Sequence, residues 1–258
     1  MTSTAAAPPP PRAYRRLSVE ERRAQLLVAA LGLFAHRAPD EVSLDEVAVA
    51  AGVSRPLVYR YFPGGRQQLY EAALGSAADE LKLCFTEPPV GPPTERVARV
   101  LDRYLRFVDE HDTGFSALLR GGSVVETSRT TTIVDGVRRA AAEEILSHLG
   151  RIGGAGGRGA GPRLRMMVRS WIAAVEAASL IWLDEGKQPS AAELRGWLVD
   201  HLIALLAATA ATDEETAAVV RDLLALETPD GPAGRLAELV IPVVAEAAHL
   251  LPQATAAD

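Results

Sequence analysis

Apolar residues recur at helical spacing along most of the chain, and short proline or glycine clusters interrupt them. Leu27, Ala30, Leu31 and Phe34 follow a capping box at Ser18 and Glu21, which predicts a first helix from residue 18 to about residue 36. Pro39, Asp40 and Glu41 break it. Ser43 and Glu46 form a second capping box. Leu44, Val47, Ala48 and Ala51 then fall at i, i+3, i+4 and i+7, one apolar stripe on a short helix that Gly52 stops. Ser54 is positioned to cap a third segment, in which Pro56 is tolerated because first-turn amides lack intrahelical partners. Pro63, Gly64 and Gly65 end it, so two short helices flank a three-residue turn.

Helical spacing resumes from residue 67 to about 85, and the stretch EPPVGPP at 87–93 is a stiff break that marks a boundary. Further helices are predicted at about 94–111, 114–120 and 127–149, before a glycine-rich loop at 150–161. Leu164, Val168, Trp171, Val175, Ala178 and Trp182 alternate steps of four and three, as do Leu194, Leu198, His201, Leu205 and Ala208. Each set is a heptad-like seam. Ile172, Ile181, Trp197, Leu202 and Leu206 add apolar residues on other faces, so both helices are expected to be buried on more than one side, with one side available to a second subunit. Residues 213–251 add a helix capped by Thr212 with Glu215, a turn at 228–232 and a helix kinked by Pro242. The expected fold class is all-α.

A chain of 258 residues is long enough for one large or two modest domains. With 48% hydrophobic but only 5% aromatic residues, the core must be filled by Leu, Val, Ile and Ala. The single cysteine, Cys84, excludes an internal disulfide. Residues 1–16 lack the apolar stretch of a secretion signal, so a reducing cytoplasm is the expected location. The uncharged stretch 202–212 is about half of the ~20 residues a membrane span needs, and Glu176 interrupts the other candidate, so no membrane anchor is expected. Residues 1–13, with their four-proline run, are expected to be disordered. The expected organisation is an arm at 1–17, a helical domain at 18–69, a second helical domain at 70–212, and a helical extension at 213–258.

The net charge of −6 argues against a polyanionic partner until its distribution is considered. Residues 1–83 carry 10 Lys and Arg against 9 Asp and Glu, leaving the acidic excess to the remainder. What matters for a phosphate backbone is whether arginines share one face. In the segment 54–62, Arg55, Pro56, Tyr59 and Arg60 fall at i, i+1, i+4 and i+5, on one side of a helix; Val58, Tyr61 and Phe62 take the opposite side. The apolar side suits docking on Phe34, Leu44, Val47 and Ala48. The other side offers two guanidiniums and a phenol outward. A helix fits the major groove of B-DNA, and arginine pairs bidentately with guanine, so this is a helix-turn-helix with a reading face.

The stretch VSLDEVAVAAGVSRPLVYRYF at 42–62 resembles the DNA-binding segment of TetR-family transcriptional regulators, a likeness that covers about residues 20–75. The resemblance implies that Ser43, Ser54, Tyr59 and Tyr61 contact phosphates, while Arg55, Pro56, Leu57 and Arg60 face base edges. Leu57 replaces the small polar residue usual there and suits a thymine methyl. Pro63, Gly64, Gly65 and Arg66 make the next connection one residue longer than usual, with Arg66 taking the place of a phosphate-binding lysine. It further implies a homodimer through the helices near 163–184 and 191–211. Arg12, Tyr14, Arg15 and Arg16 form a candidate arm for an adjacent minor groove.

Other signals carry less. The G-x-G-x-x-G match at 154–159 follows a helix rather than a strand and is rejected as a dinucleotide site. His36, His111, His148, His201 and His249 lack metal-ligand spacing, and Cys84 lacks the context of a nucleophile; no metal, cofactor or catalytic residue is expected. Glu176 stands out as a carboxylate in an apolar helix, which must either pair with an arginine or line a ligand pocket. Tyr104, Phe107, Phe115 and Trp171 are the aromatics expected to line such a pocket with it, since their helices are the usual pocket walls of the family. The chain is therefore expected to be a homodimeric repressor of a palindromic operator on double-stranded DNA, released by a small-molecule effector. An activator of the same fold is the nearest alternative, and a helical binding protein or enzyme without DNA binding the more distant one.

Overall fold

The computed structural model describes residues 17–34, 37, 39–112, 128–152 and 160–248. Among them, ten α-helices and one 3-10 turn make up the regular structure, without a strand. Residues 1–16 of the expected arm, the helix expected at 114–120 with Phe115, and most of the glycine-rich loop lie outside the described residues.

The first helix, α1 (Val19–Phe34), opens on its capping box: the Ser18 amide donates to Glu21 Oε2 at 2.7 Å and the Glu21 amide to Ser18 Oγ at 3.0 Å. A 3-10 turn (Pro39–Glu41) leads to α2 (Leu44–Ala50), capped reciprocally by Ser43 and Glu46. Arg37 clamps this corner, donating to Glu46 Oε1 at 2.6 Å and to the Glu41 carbonyl. The turn into α3 (Arg55–Tyr61) passes through Gly52 at φ +63°, a conformation that side chains with a Cβ resist. Ser54 holds the N-cap backbone position, but its hydroxyl makes no cap bond, contrary to expectation. The reason is local. Pro56 has no N–H to offer, and the Leu57 amide already donates to the Ser54 carbonyl at 2.9 Å.

Leu26, Ala30, Val47, Val58, Phe62 and Leu69 form the centre of a first core enclosed by α1, α2, α3 and the start of α4 (Gly65–Leu83). Gln25 ties α1 to the turn by donating to the Ala51 carbonyl at 2.8 Å. Helix α4 continues unbroken past the boundary expected after residue 69 and enters a second core through Ala78 and Leu81. That core is built by α5 (Pro93–Glu110), α6 (Ser128–Ile152), α7 (Pro162–Asp184), α8 (Ala191–Ala210) and α9 (Glu214–Leu224), with α10 (Pro232–Ala248) packed on α8 and running through Pro242.

The α7 seam turns inward, and the α8 seam does so in its first half: Leu164, Val168, Trp171, Val175 and Trp182 of α7 pack with Leu194 and Leu198 of α8, whereas His201 and Leu205 are half-buried and Ala208 is exposed. Ile181 and Trp197, from the other faces of the same helices, are 60% and 55% exposed. By length and composition α7 is long and apolar enough to cross a bilayer, yet its apolar side fills the protein's own core. The cap of α9 is Asp213 rather than Thr212: the Asp213 carboxylate accepts the Thr216 amide at 3.0 Å and its hydroxyl at 2.5 Å. Thr212 instead accepts from Arg163, at 3.0 Å on its carbonyl.

A Cβ at position 52 would meet nothing within 4 Å. Gly52→Ala therefore loses stability through backbone strain alone, by about 1–2 kcal/mol in chemical denaturation, with the helix content of the folded state unchanged. The hydrogen bonds from Arg37 and Ser43 lower the Glu46 pKa from 4.5 to about 2. A depressed carboxylate stabilises the fold above its unfolded value and loses that contribution as pH falls through the folded one. The stability advantage of wild type over Glu46→Gln is thus complete above pH 4.5 and disappears toward pH 2 in pH-dependent denaturation.

Candidate nucleic-acid interface and core cavity

Helix α3 divides its residues as its spacing requires. Val58 and the following Phe62 are buried against α1 and α2, and the Arg23 guanidinium lies 5.6 Å above the Phe62 ring, holding the end of the helix in place. Arg55, Pro56, Tyr59 and Arg60 are exposed on the other side, with Leu57 and Tyr61 half-buried at the two margins. Arg55 is oriented before any ligand arrives: its Nε lies 2.7 Å from Asp45 Oδ1, its Nη2 donates to the Tyr59 hydroxyl at 3.4 Å, and its guanidinium sits 5.5 Å over the Tyr59 ring. These partners, Tyr59 first and Asp45 second, push its pKa upward. Arg60 lies 5.8 Å over the Tyr61 ring.

The flanking candidates are placed at the same end of the domain. Ser43 is exposed, but its hydroxyl serves the α2 cap, accepting from the Glu46 amide at 3.2 Å and donating to Glu46 Oε2 at 2.7 Å. Arg66, in the first turn of α4, is exposed and donates to the Asp40 carbonyl at 2.6 Å. Ser54 is exposed with its hydroxyl unused in capping. Asp45, which orients Arg55, was not singled out by the sequence. Its position ten residues upstream on the preceding helix is the only signal of it.

The second core contains a partly open cavity of about 150 Å³, lined among the described residues by α4 through α9. Each probe-sized volume of roughly 10–15 Å³ holds one water, so the space exceeds any single solvent site. Tyr104 and Trp171 line it, as does Glu176. Both readings of Glu176 apply together: it faces the cavity and is paired with Arg138, whose Nε donates to Oε2 at 3.0 Å and whose Nη2 stands 2.9 Å away. Trp171 Nε1 donates to the Leu198 carbonyl at 3.0 Å, and burial pushes the Tyr104 phenol pKa upward. Phe107 departs from the expectation: it is not among the residues lining the cavity and stacks instead on His111, four residues and one turn further along the same face of α5, at 4.4 Å.

At the opposite end of the cavity stand Glu87, Arg96, Glu144 and His148, none of them anticipated. Glu87 is buried, which disfavours its charge, yet hydrogen bonds from Arg99 and Arg103 outweigh this and hold the carboxyl below its ordinary range. Among the described residues no group of three or more His, Cys, Asp or Glu is arranged to hold a metal ion.

Comparison with known proteins agrees with this geometry. Residues 26–73 match the family model for bacterial regulatory proteins of the tetR family, and residues 93–205 that of the tetracyclin repressor-like C-terminal domain. The crystal structure of a tetR-family transcriptional regulator from Streptomyces coelicolor is 51% identical, covers 89% of this chain and 100% of its own, and superposes with a TM-score of 0.79. The HTH-type transcriptional activator FasR of Mycolicibacterium smegmatis is 29% identical over 113 residues, 43% of this chain and 51% of that protein. An HTH-type transcriptional repressor of Mycobacterium tuberculosis is 36% identical over 90 residues, 34% of this chain and 45% of that protein. The matches thus span about half the length of these curated relatives. With both halves matched and one solved relative covered from end to end, the chain belongs to the TetR family of transcriptional regulators, helix-turn-helix DNA-binding proteins that form dimers and are not enzymes.

Proposed function

We propose that the protein is a ligand-responsive homodimeric repressor, acting in the cytoplasm, that reads a palindromic operator with α3 and is released by a small molecule bound in the core cavity. The observation that carries this reading is the exposed face of Arg55, Tyr59 and Arg60, backed by a packed apolar side. Arg55, Pro56, Leu57 and Arg60 face base edges, while Ser43, Ser54, Tyr59, Tyr61 and Arg66 hold the phosphate backbone. The dimer forms through α7 and α8, whose exposed Ile181 and Trp197 supply apolar surface to a second copy.

The mechanism is one of spacing. Two reading helices must enter major grooves about 34 Å or more apart, and a ligand that prefers the protein state with the wrong separation depopulates the DNA-bound one. Its effect is limited to its differential affinity for the two states. The naming of one relative as an activator favours a second reading with the same machinery and the opposite sign of output. A reporter driven by the operator distinguishes them: deletion of the regulator raises expression for a repressor and lowers it for an activator.

Binding to the promoter region of the protein's own gene, measured at several salt concentrations, tests the interface. Wild type is expected to show a steep negative log–log slope. Arg60→Ala weakens operator binding by about 1–3 kcal/mol and relaxes selectivity at one base pair, with the fold intact by circular dichroism. Equal affinity for operator and random DNA would overturn the assignment of α3 as the reading helix.

A further inference from the structure

The cavity wall contains a buried arginine with one donor that no acceptor among the described residues meets. Arg96, in the first turn of α5, is 8% exposed and lines the cavity, and its Nε has no hydrogen-bond acceptor among the described residues. Of its acidic neighbours, Glu87 is held by Arg99 at 2.7 Å and Arg103 at 2.8 Å, and both Glu87 and Glu144 act on Arg96 through charge without hydrogen-bonding to its Nε. Burial, together with the cations of Arg151 and Arg99, pulls the Arg96 pKa down. Arginine does not escape such a position by deprotonation, so the guanidinium stays charged with its Nε unsatisfied.

Beyond Arg96 the cavity becomes apolar. Val97, Val100 and Leu101 continue along α5, facing Trp171 and Ile172 of α7, as far as Tyr104. Eight residues of helix separate Arg96 from Tyr104, about 12 Å at the helical rise per residue. At that far end Glu176 is already satisfied by Arg138. The cavity therefore offers one unsatisfied cationic donor, the Arg96 Nε, beside an apolar wall that runs along α5 to Tyr104.

We propose that this cavity takes a linear organic monocarboxylate, its carboxylate on Arg96 and its apolar body lying along α5 toward Tyr104. This names the chemical class of the effector and rests on the preceding section only for the regulatory consequence of binding. A bound carboxylate supplies the acceptor that the Arg96 Nε lacks, in a charge-assisted, two-oxygen geometry that a hydroxyl head cannot match. A single guanidinium matches a monoanion.

Decanoate, whose extended chain fits the span, is the probe, with decan-1-ol and acetate as controls, each titrated below its aggregation concentration into the full-length protein by calorimetry and tryptophan fluorescence. Decanoate is expected to bind saturably, perturb the emission of Trp171, and bind at least about tenfold more tightly than decan-1-ol. Acetate, without the apolar body, gives no measurable heat. Arg96→Met weakens decanoate at least about tenfold, leaves decan-1-ol unchanged, and does not lower the melting temperature of the ligand-free protein, because it removes a buried charge with an unsatisfied donor. Arg96→Lys keeps the preference for the acid over the alcohol. Decan-1-ol binding as tightly as decanoate, or Arg96→Met retaining full decanoate affinity, overturns the proposal. Operator affinity measured on the same samples separates the two readings. Decanoate that binds through Arg96 without altering operator affinity upholds the ligand class and overturns the effector role. Failure of decanoate to bind overturns the ligand class, even where another compound releases the operator.

Discussion

The structure depends on one helix belonging to two cores. Leu69 and Ala73 of α4 are buried among α1, α2 and α3, while Ala78 and Leu81 of the same helix are buried in the C-terminal core. Helix α4 is continuous over Gly65–Leu83, so nothing between these two sets of contacts can bend without breaking backbone hydrogen bonds. The reading helix is fixed to the same body, since Val58 and Phe62 pack in the core that holds Leu69. Displacement of the C-terminal end of α4 must therefore carry α3 with it.

Much of the DNA-facing half was legible in the sequence because its determinants are local. Capping boxes at Ser18 and Glu21 and at Ser43 and Glu46, the glycine at the turn, and the division of α3 into two faces involve residues within four positions of each other. The Ser54 cap and the Thr212 cap misled for a local reason too: the backbone position was right in the first, and in the second Asp213 lies one residue closer to Thr216. The cavity was legible only in part. Helical period places Arg96 on the same stripe as Val100, Leu101 and Tyr104, but only the tertiary structure shows that its neighbour Glu87 is held by Arg99 and Arg103. Arg138 and Glu176 meet across 38 positions, and Thr94 and Glu227 across 133, distances over which a single sequence carries no pairing information.

The extension after residue 212 is integrated with the second core. Thr216 is fully buried, Leu223 reaches the cavity wall, and Glu227 accepts the Thr94 amide at 2.8 Å at the start of α5. One residue of the cavity wall, Leu223, and an anchor for the start of α5, Glu227, thus come from a segment whose sequence alone gave no preference between covering the cavity and enlarging a dimer. The chain's negative charge falls mainly after residue 83, where several acidic groups are consumed in internal pairs such as Glu87 with Arg99 and Asp102 with Arg195. Acidic surface there weakens long-range attraction to DNA without changing the local potential at Arg55 and Arg60.

How a cavity ligand would reach α4 can be argued from the wall itself. Leu81 is the one α4 side chain lining the cavity among the described residues, a narrow point of direct contact. Helix α6 offers a second route: Ile133 and Val134 line the cavity and also pack against Tyr70 and Leu74, about two to three turns closer to the reading domain. A ligand on one side of these two residues and α4 on the other are separated by a single layer of side chains. Converting a population from 99:1 to 1:99 takes about a 10⁴-fold difference in ligand affinity between the two states. A contact at Leu81 alone, worth about one buried side chain, falls well short of that. Any large response must therefore enlist the α6 wall, where close packing turns a small shift of Ile133 and Val134 into a displacement of α4 rather than absorbing it.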